Sequence, residues 1–224
     1  MLVLALDTAT PAVTAGVVQL TGDRVQQLSA RVVHHTRKHA ELLMPGVRDA
    51  VAEAGSTLRD LDAVVVGTGP GPFTGLRVGM VTAAALGDAL QVPVHGVCTL
   101  DAIARDARHG LPDGVLLVVT DARRREVYWA GYRPDGRRVD GPHVEAPAVL
   151  RDRLPALQAV AAAGAAAAET GLPVVEPAAP SPAALVEMAR PALRSGRAAG
   201  PLEPLYLRRP DAVEPGPRKQ VSLG

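Results

Sequence analysis

Aromatic side chains are scarce in this chain: one Phe, one Trp and three Tyr among 224 residues. The core therefore has to be built from Val, Leu and Ala, with Trp129 as a rare bulky filler. Cys98 is the single cysteine, which excludes an internal disulfide framework and suits a reducing compartment. An excess of one charge is also missing. The 24 Lys and Arg offset 23 Asp and Glu, for a net charge of +1, so nothing argues for a protein that coats nucleic acid. No apolar run approaches the about 20 residues that a membrane span requires. The apolar start, Leu2 to Leu6, reaches Asp7 with no basic segment before it, and reads as a first strand rather than a secretory leader. A cytoplasmic protein is expected, with no membrane partner.

The most specific stretch that is present runs from Gly67 to Gly79, GTGPGPFTGLRVG. It follows the apolar run Ala63–Val66 and opens an alanine-rich segment ending near Leu90, so a buried strand turns sharply into a helix. Glycine permits close backbone approach there, and two prolines stiffen the turn. N–H groups at such a helix start attract anions. The loop nevertheless lacks the Gly-Lys-Ser/Thr ending of a nucleotide P-loop, with Thr74-Gly75-Leu76 in its place, and its glycines do not fall in dinucleotide spacing.

Along the chain, strands are expected at 2–6, 12–20 and 24–33, a helix at 38–54 with Leu43, Val47, Val51 and Ala54 on one face and Pro45 near its first turns, then a strand, the glycine loop and its helix. A short strand at 93–97 and a helix at 100–108 complete a first unit, residues 1–108. A second unit, 109–210, opens with strands at 115–120 and 126–132 and a hairpin turn at 133–136. Beyond Pro142 the pattern weakens. The alanine run 161–168 is uninformative, 185–193 reads as a short helix interrupted at Pro191, and 203–209 as a short strand or cap. Residues 211–224, with two prolines and no periodicity, read as a disordered tail.

The two units repeat each other. Each begins with a strand, an aspartate (Asp7, Asp121), a polar turn, and a second strand carrying Ala-Gly (Ala15-Gly16, Ala130-Gly131), followed by a Gly-Asp or Asp-Gly turn. This duplication points to an α/β, actin-like (ribonuclease H-like, ASKHA) fold: two mixed-sheet domains flanked by helices, with the aspartate turns facing a cleft. In such folds ATP and magnesium lie between the turns.

The motifs LALDTAT (4–10), HAELLMP (39–45), the 69–79 loop, GVCTL (96–100), Asp121-Ala122-Arg123 with EVYW (126–129), and Tyr206-Leu207-Arg208 resemble the TsaB (YeaZ) family. Its members are subunits of the bacterial machinery that makes threonylcarbamoyladenosine in tRNA. The resemblance implies a non-catalytic scaffold that pairs with the catalytic TsaD paralogue and works with the ATPase TsaE. tRNA is met through the complex rather than directly, and the resemblance leaves open whether the free protein is a homodimer.

The residues agree that catalysis by this chain alone is not to be expected. Where the catalytic paralogue carries a His-x-x-x-His metal pair, this chain has Cys98-Thr99-Leu100-Asp101-Ala102, and two unlike ligands make a poor site. Ala9 stands where actin-like ATPases place a phosphate-turn glycine, which leaves Asp7, Thr8 and Asp121 as a degenerate nucleotide site. No metal and no obligatory cofactor are expected, and residual ATP or ADP affinity stays open. His35 and His39 have metal spacing but sit beside Arg37 and Lys38, so a solvated or capping role is favoured. Asp7 reads as a turn residue rather than a magnesium relic, Arg123–Arg125 as a solvated turn rather than an RNA contact, and Trp129 as core. The alternative function is an ATP-binding or metal-dependent, glycoprotease-like hydrolase acting on its own.

Gly75, Gly79, Ala83 and Gly87 recur every four residues. Such a stripe lets another helix approach closely, and helix glycines each cost about 1 kcal/mol relative to alanine. The partner could be the chain's own sheet or another subunit. The resemblance implies that this helix and that at 38–54 form the pairing surface, with Leu43, Val47, Val51, Gly75, Gly79, Ala83 and Gly87 as interface candidates, so that Gly79→Leu should disrupt a heterodimer.

Overall fold

The computed structural model describes residues 1–34, 38–107, 113–196 and 199–208. The first sheet contains β1 (Leu2–Asp7), β2 (Val13–Thr21), β3 (Arg24–Gln27), β4 (Arg31–Val33), β5 (Ala63–Gly67) and β6 (Val94–Val97), in the order β3-β2-β1-β5-β6 with β4 also on β2. β1 runs antiparallel to β2 and parallel to β5. The single strand expected at 24–33 is divided. Ser29 Oγ accepts the Val17 N–H at 3.1 Å in place of a ladder carbonyl, which lets β3 and β4 pair with β2 on either side of an irregular turn.

Strand periodicity sorts the core. Val3 and Ala5 face one side of the sheet, and Leu4 and Leu6 the other. The Leu4 side is covered by α1 (His39–Glu53) through Leu43, Val47 and Val51, and by α2 (Phe73–Leu90) through Met80 and Ala83. Each such fully buried Leu or Val contributes about 1.5–3 kcal/mol. Pro45 lies in the second turn of α1 rather than its first. It is exposed, so the lost hydrogen bond falls on the solvent side.

The second sheet repeats the first. β7 (Val115–Arg123), β8 (Glu126–Tyr132) and β9 (Arg138–Glu145) form an antiparallel meander, α4 (Pro147–Leu157) follows, and β10 (Ala159–Ala163) returns parallel to β7. The alanine run is thus partly a buried strand. Ala161 and Ala163 pack beneath α3 (Thr99–Ala107) and Ala162 faces the opposite side, so packing overrides alanine's helix preference.

The units exchange helices. α3 leaves the first sheet and packs through Leu100, Ile103, Ala104 and Ala107 on Leu116, Val118, Ala130 and Tyr132 of the second. α5 (Pro182–Ser195) returns to the first sheet through Leu185, Val186, Ala189 and Leu193. Residues 182–195, expected in the second unit, therefore pack with the first. Pro191 does not interrupt α5, because it is exposed while Leu185, Ala189 and Leu193 anchor the opposite face. Asp106 of α3 accepts hydrogen bonds from Ser181 N (2.8 Å) and Oγ (2.9 Å) at the start of α5. Residues 199–208 form an extended strap rather than a strand, tied to the glycine loop by Leu205 N to Thr68 O at 2.9 Å. The tail from 211 and the 108/109 boundary lie outside the described residues. No helix among the described residues is long and apolar enough to cross a membrane.

Candidate functional site

Asp7 ends β1 at the point where β5 delivers the chain into the glycine loop. It is fully buried. Its Oδ2 accepts the Thr99 hydroxyl at 2.6 Å and its Oδ1 the Ala9 N–H at 3.0 Å. Gly67 makes room for the carboxylate, since a Cβ there would fall 1.8 Å from Oδ2. Burial is the dominant influence and pushes the carboxyl up to about 6, against the opposing hydrogen bonds from Thr99 and Ala9. Asp7 is a turn residue turned into the protein, as its sequence context favours.

Thr8 and the small-residue stripe belong together. Thr8 Oγ1 donates to the Gly75 carbonyl at 2.7 Å. A Cβ on Gly79 would lie 2.3 Å from that hydroxyl oxygen, and one on Gly75 2.5 Å from the Thr8 carbonyl. Gly87 packs on Val94 in the same way, and Ala83 is buried in the core with Leu43, Val47 and Val51. The stripe therefore lets α2 settle on its own sheet. The seven residues nominated as partner contacts are all interior, and Gly79→Leu would attack the fold before it reached any interface.

A cavity of about 770 Å³ lies between the two aspartate turns, walled by Thr8, Thr10, Pro11 and His39 on one side and by Asp121, Arg123, Arg124, Tyr128 and Arg208 on the other, with Phe73, Thr74 and Gly75 of α2 between them. Asp7 is not part of its wall. Asp121 accepts the Arg123 N–H at 2.8 Å, closing a turn in which Arg123, Arg124 and Arg125 all adopt left-handed backbone (φ +61°, +53°, +61°), rare for non-glycine residues. Arg208 holds this tip from the strap. It donates to the Ala122 carbonyl at 3.0 Å and forms an ion pair with Glu126. Tyr206 stacks 4.6 Å from Phe73 and accepts from Arg77 Nε at 3.2 Å. His39 Nε2 lies 3.0 Å from the Thr10 carbonyl, as its N–H donor. His35 lies outside the described residues.

A magnesium nucleotide does not fit this cleft in the manner of actin-like ATPases. The first aspartate is enclosed, and the phosphate turn is closed by backbone: Gly71 sits so near the Ala9 carbonyl that a Cβ would fall 2.3 Å from its oxygen. Cys98 and Asp101 are equally committed. Asp101 accepts the Tyr132 hydroxyl at 2.7 Å and pairs with Arg138 at 3.2 Å. Burial first, then the neighbouring Asp101, push the Cys98 thiol up to about 11, so it is protonated and a poor nucleophile or metal ligand at neutral pH. Trp129 is core, its indole N–H bonded to Glu145 at 2.8 Å. Sequence reasoning missed Thr99 as the Asp7 partner and Arg208 as the clamp. Only the Tyr206-Leu207-Arg208 motif hinted at the latter.

Comparison with known proteins adds a lineage. A family model described as "TsaD: tRNA N6-adenosine threonylcarbamoyltransferase" matches residues 32–192. An uncharacterized protein of Mycobacterium tuberculosis is 58% identical over 210 residues, covering 94% of this chain and 93% of the relative. The tRNA threonylcarbamoyladenosine biosynthesis protein TsaB of Escherichia coli is 35% identical over 158 residues, 69% of this chain and 66% of that protein. The solved structure of YeaZ from Pseudomonas aeruginosa matches at a TM-score of 0.72 and 31% identity, covering 92% of this chain and 99% of that one.

Proposed function

The chain belongs to the TsaB (YeaZ) family, and from that premise we propose that it serves threonylcarbamoyladenosine formation in tRNA as a non-catalytic subunit. In this reading it pairs with a TsaD paralogue, supports recruitment of the TsaE ATPase, and meets tRNA through the complex. The observation that carries the reading is the helix pair α1/α2. The inner faces of both helices are consumed by their own sheet, whereas Val81 is 66% exposed, with Met44 and Val78 half-buried at the edge of that core. An exposed apolar position of this kind on a helix pair suits docking against another protein. The pairing contacts are therefore sought at Met44, Val78 and Val81, not at the glycine stripe.

A hydrolase acting alone is disfavoured by the state of its would-be catalytic groups. Asp7 is enclosed, Cys98 is held as a thiol, and Asp101 is occupied by Tyr132 and Arg138. The test is Val81→Glu. Its site is solvent-exposed, so the melting temperature should not change, while co-elution with TsaD is lost, as is any homodimer of the free chain that uses the same face. Undiminished co-elution would remove α1/α2 from the interface.

A further inference from the structure

We infer that residues 204–208 form a clasp that couples the outer face of α2 to the orientation of the second unit. The clasp has one anchor on each unit. On the first, the scarcity of aromatic residues makes the anchor conspicuous. Tyr128, Trp129 and Tyr132 are buried in the second sheet, and the two remaining aromatic rings, Phe73 and Tyr206, meet at 4.6 Å. The Arg77 guanidinium lies 5.8 Å and 6.0 Å from the two ring centroids, and its Nε donates to the Tyr206 hydroxyl at 3.2 Å. Rings and a guanidinium so placed attract one another beyond the area they bury. Arg77 is exposed and stands four residues before the exposed Val81, so this anchor lies on the helix face left open to solvent.

The second anchor is Arg208, two residues further on, which donates to the Ala122 carbonyl and pairs with Glu126. Its position gives it leverage. Among the described residues the units also meet along α3, which packs on Leu116 and Val118 of β7 and is tied to α5 through Asp106 and Ser181. Contacts along one helix resist rotation about its axis poorly. Ala122 lies beyond Val118 by about 13 Å of strand, at about 3.3 Å per residue, so a tie there acts on a long arm. Between its anchors the strap is held lightly. Pro204 has no N–H to give, Tyr206 N bonds within the strap to the Pro204 carbonyl at 2.9 Å, and Leu205 N reaches Thr68 of the glycine loop. A segment fixed at two points with little between them engages or releases as one element, which is what coupling between separate surfaces requires. A change on the outer face of α2 that displaces Tyr206 withdraws Arg208 from the tip, and by reciprocity loss of the tip contact frees Tyr206. The clasp is a property of the free chain and does not depend on the pairing role proposed above.

The experiment is double electron–electron resonance on the full chain. Nitroxides are placed at Arg48→Cys on α1 and Ala168→Cys in the second unit, both exposed, in a Cys98→Ala background diluted with unlabelled chain. The parent should give one narrow distance distribution, and Arg208→Ala should broaden it at least twofold. Tyr206→Ala should broaden it to a similar extent and raise amide exchange at 122–126 several-fold, although the contacts of Tyr206 are with Phe73 and Arg77 of the first unit. Arg77→Ala, a change on the outer face of α2, should act in the same direction. Arg77 and Tyr206 are exposed, so these variants fold, and Tyr206→Phe, which keeps the ring on Phe73, should retain the parent width. A parent-like distribution in Arg208→Ala would overturn the inference. So would parent-like distance and exchange in Tyr206→Ala, which would leave Arg208 as a local brace of the tip, uncoupled from α2.

Discussion

Gly79 and Thr8 should be energetically coupled, and the coupling can be worked from the structure. A Cβ on Gly79 falls 2.3 Å from Thr8 Oγ1, the donor that reaches the Gly75 carbonyl at 2.7 Å. Gly79→Ala gains about 1 kcal/mol of helix propensity. It must displace a buried hydroxyl, at about 1–3 kcal/mol for the disturbed hydrogen bond and about 1–3 kcal/mol for overpacking. A net loss of about 2 kcal/mol is expected. Thr8→Ala alone should cost about 1–2 kcal/mol. In the double variant the offending oxygen is gone and the next atom of residue 8 is Cβ, 3.5 Å away, an ordinary packing distance. Gly79→Ala should then become neutral or stabilising. Urea unfolding of the four proteins gives the cycle. The expected interaction energy is about 2–3 kcal/mol in favour of the double variant. Additive losses would refute the view that the stripe exists to seat α2 on Thr8.

Three further outcomes are expected. Asp7 has a folded-state value of about 6 against an ordinary 3.8, so the folded protein holds more protons than the unfolded chain between these values. The favourable contribution is complete below about pH 3.8 and is lost as pH rises through 6, at about 3 kcal/mol by linkage. Asp7→Asn should flatten this part of the stability profile and leave the protein about 1–2 kcal/mol more stable than the parent at pH 8, after one imperfect hydrogen bond; an unchanged slope in unfolding experiments from pH 4 to 8 would refute it. Cys98 should react with dithionitrobenzoate at pH 8 more than tenfold more slowly in the folded protein than in urea, because burial keeps it a thiol; equal rates would show an accessible thiolate. Arg208→Ala should raise amide exchange at 122–126 several-fold and leave 117–119 unchanged; unaltered exchange at the tip would mean that the strap does not hold it.

The duplication was legible because it is written in local chemistry: alternating apolar strands, an aspartate at each first tip, and turn residues at matching offsets. The glycine loop was legible for the same reason. The direction of the small-residue stripe was not. A helix that approaches its own sheet closely and one that approaches a partner closely need the same glycines, and only Thr8 beneath Gly75 and Gly79 distinguishes them. The exchange of α3 and α5 between sheets leaves no local trace either, since an amphipathic helix does not encode which sheet it covers. The strand Ala159–Ala163 was hidden by alanine's helix preference, overridden by β7 alongside it. At the site, Ala9 was legible as a departure from a phosphate-turn glycine, and its carbonyl lies so close to Gly71 that a Cβ there would fall 2.3 Å from its oxygen. The clamp on the β7–β8 tip comes from a strap that meets it across 86 residues of sequence, beyond the reach of any periodicity.

The most direct measurement is tRNA threonylcarbamoylation in a reconstituted mixture of TsaD and TsaE supplied with threonylcarbamoyl-adenylate, with this chain absent, present, or present as Val81→Glu, each mixture also resolved by size exclusion. A subunit that acts by pairing predicts modification and co-elution with TsaD only when the unaltered chain is present. Full modification without it, with no complex on the column, would contradict that role.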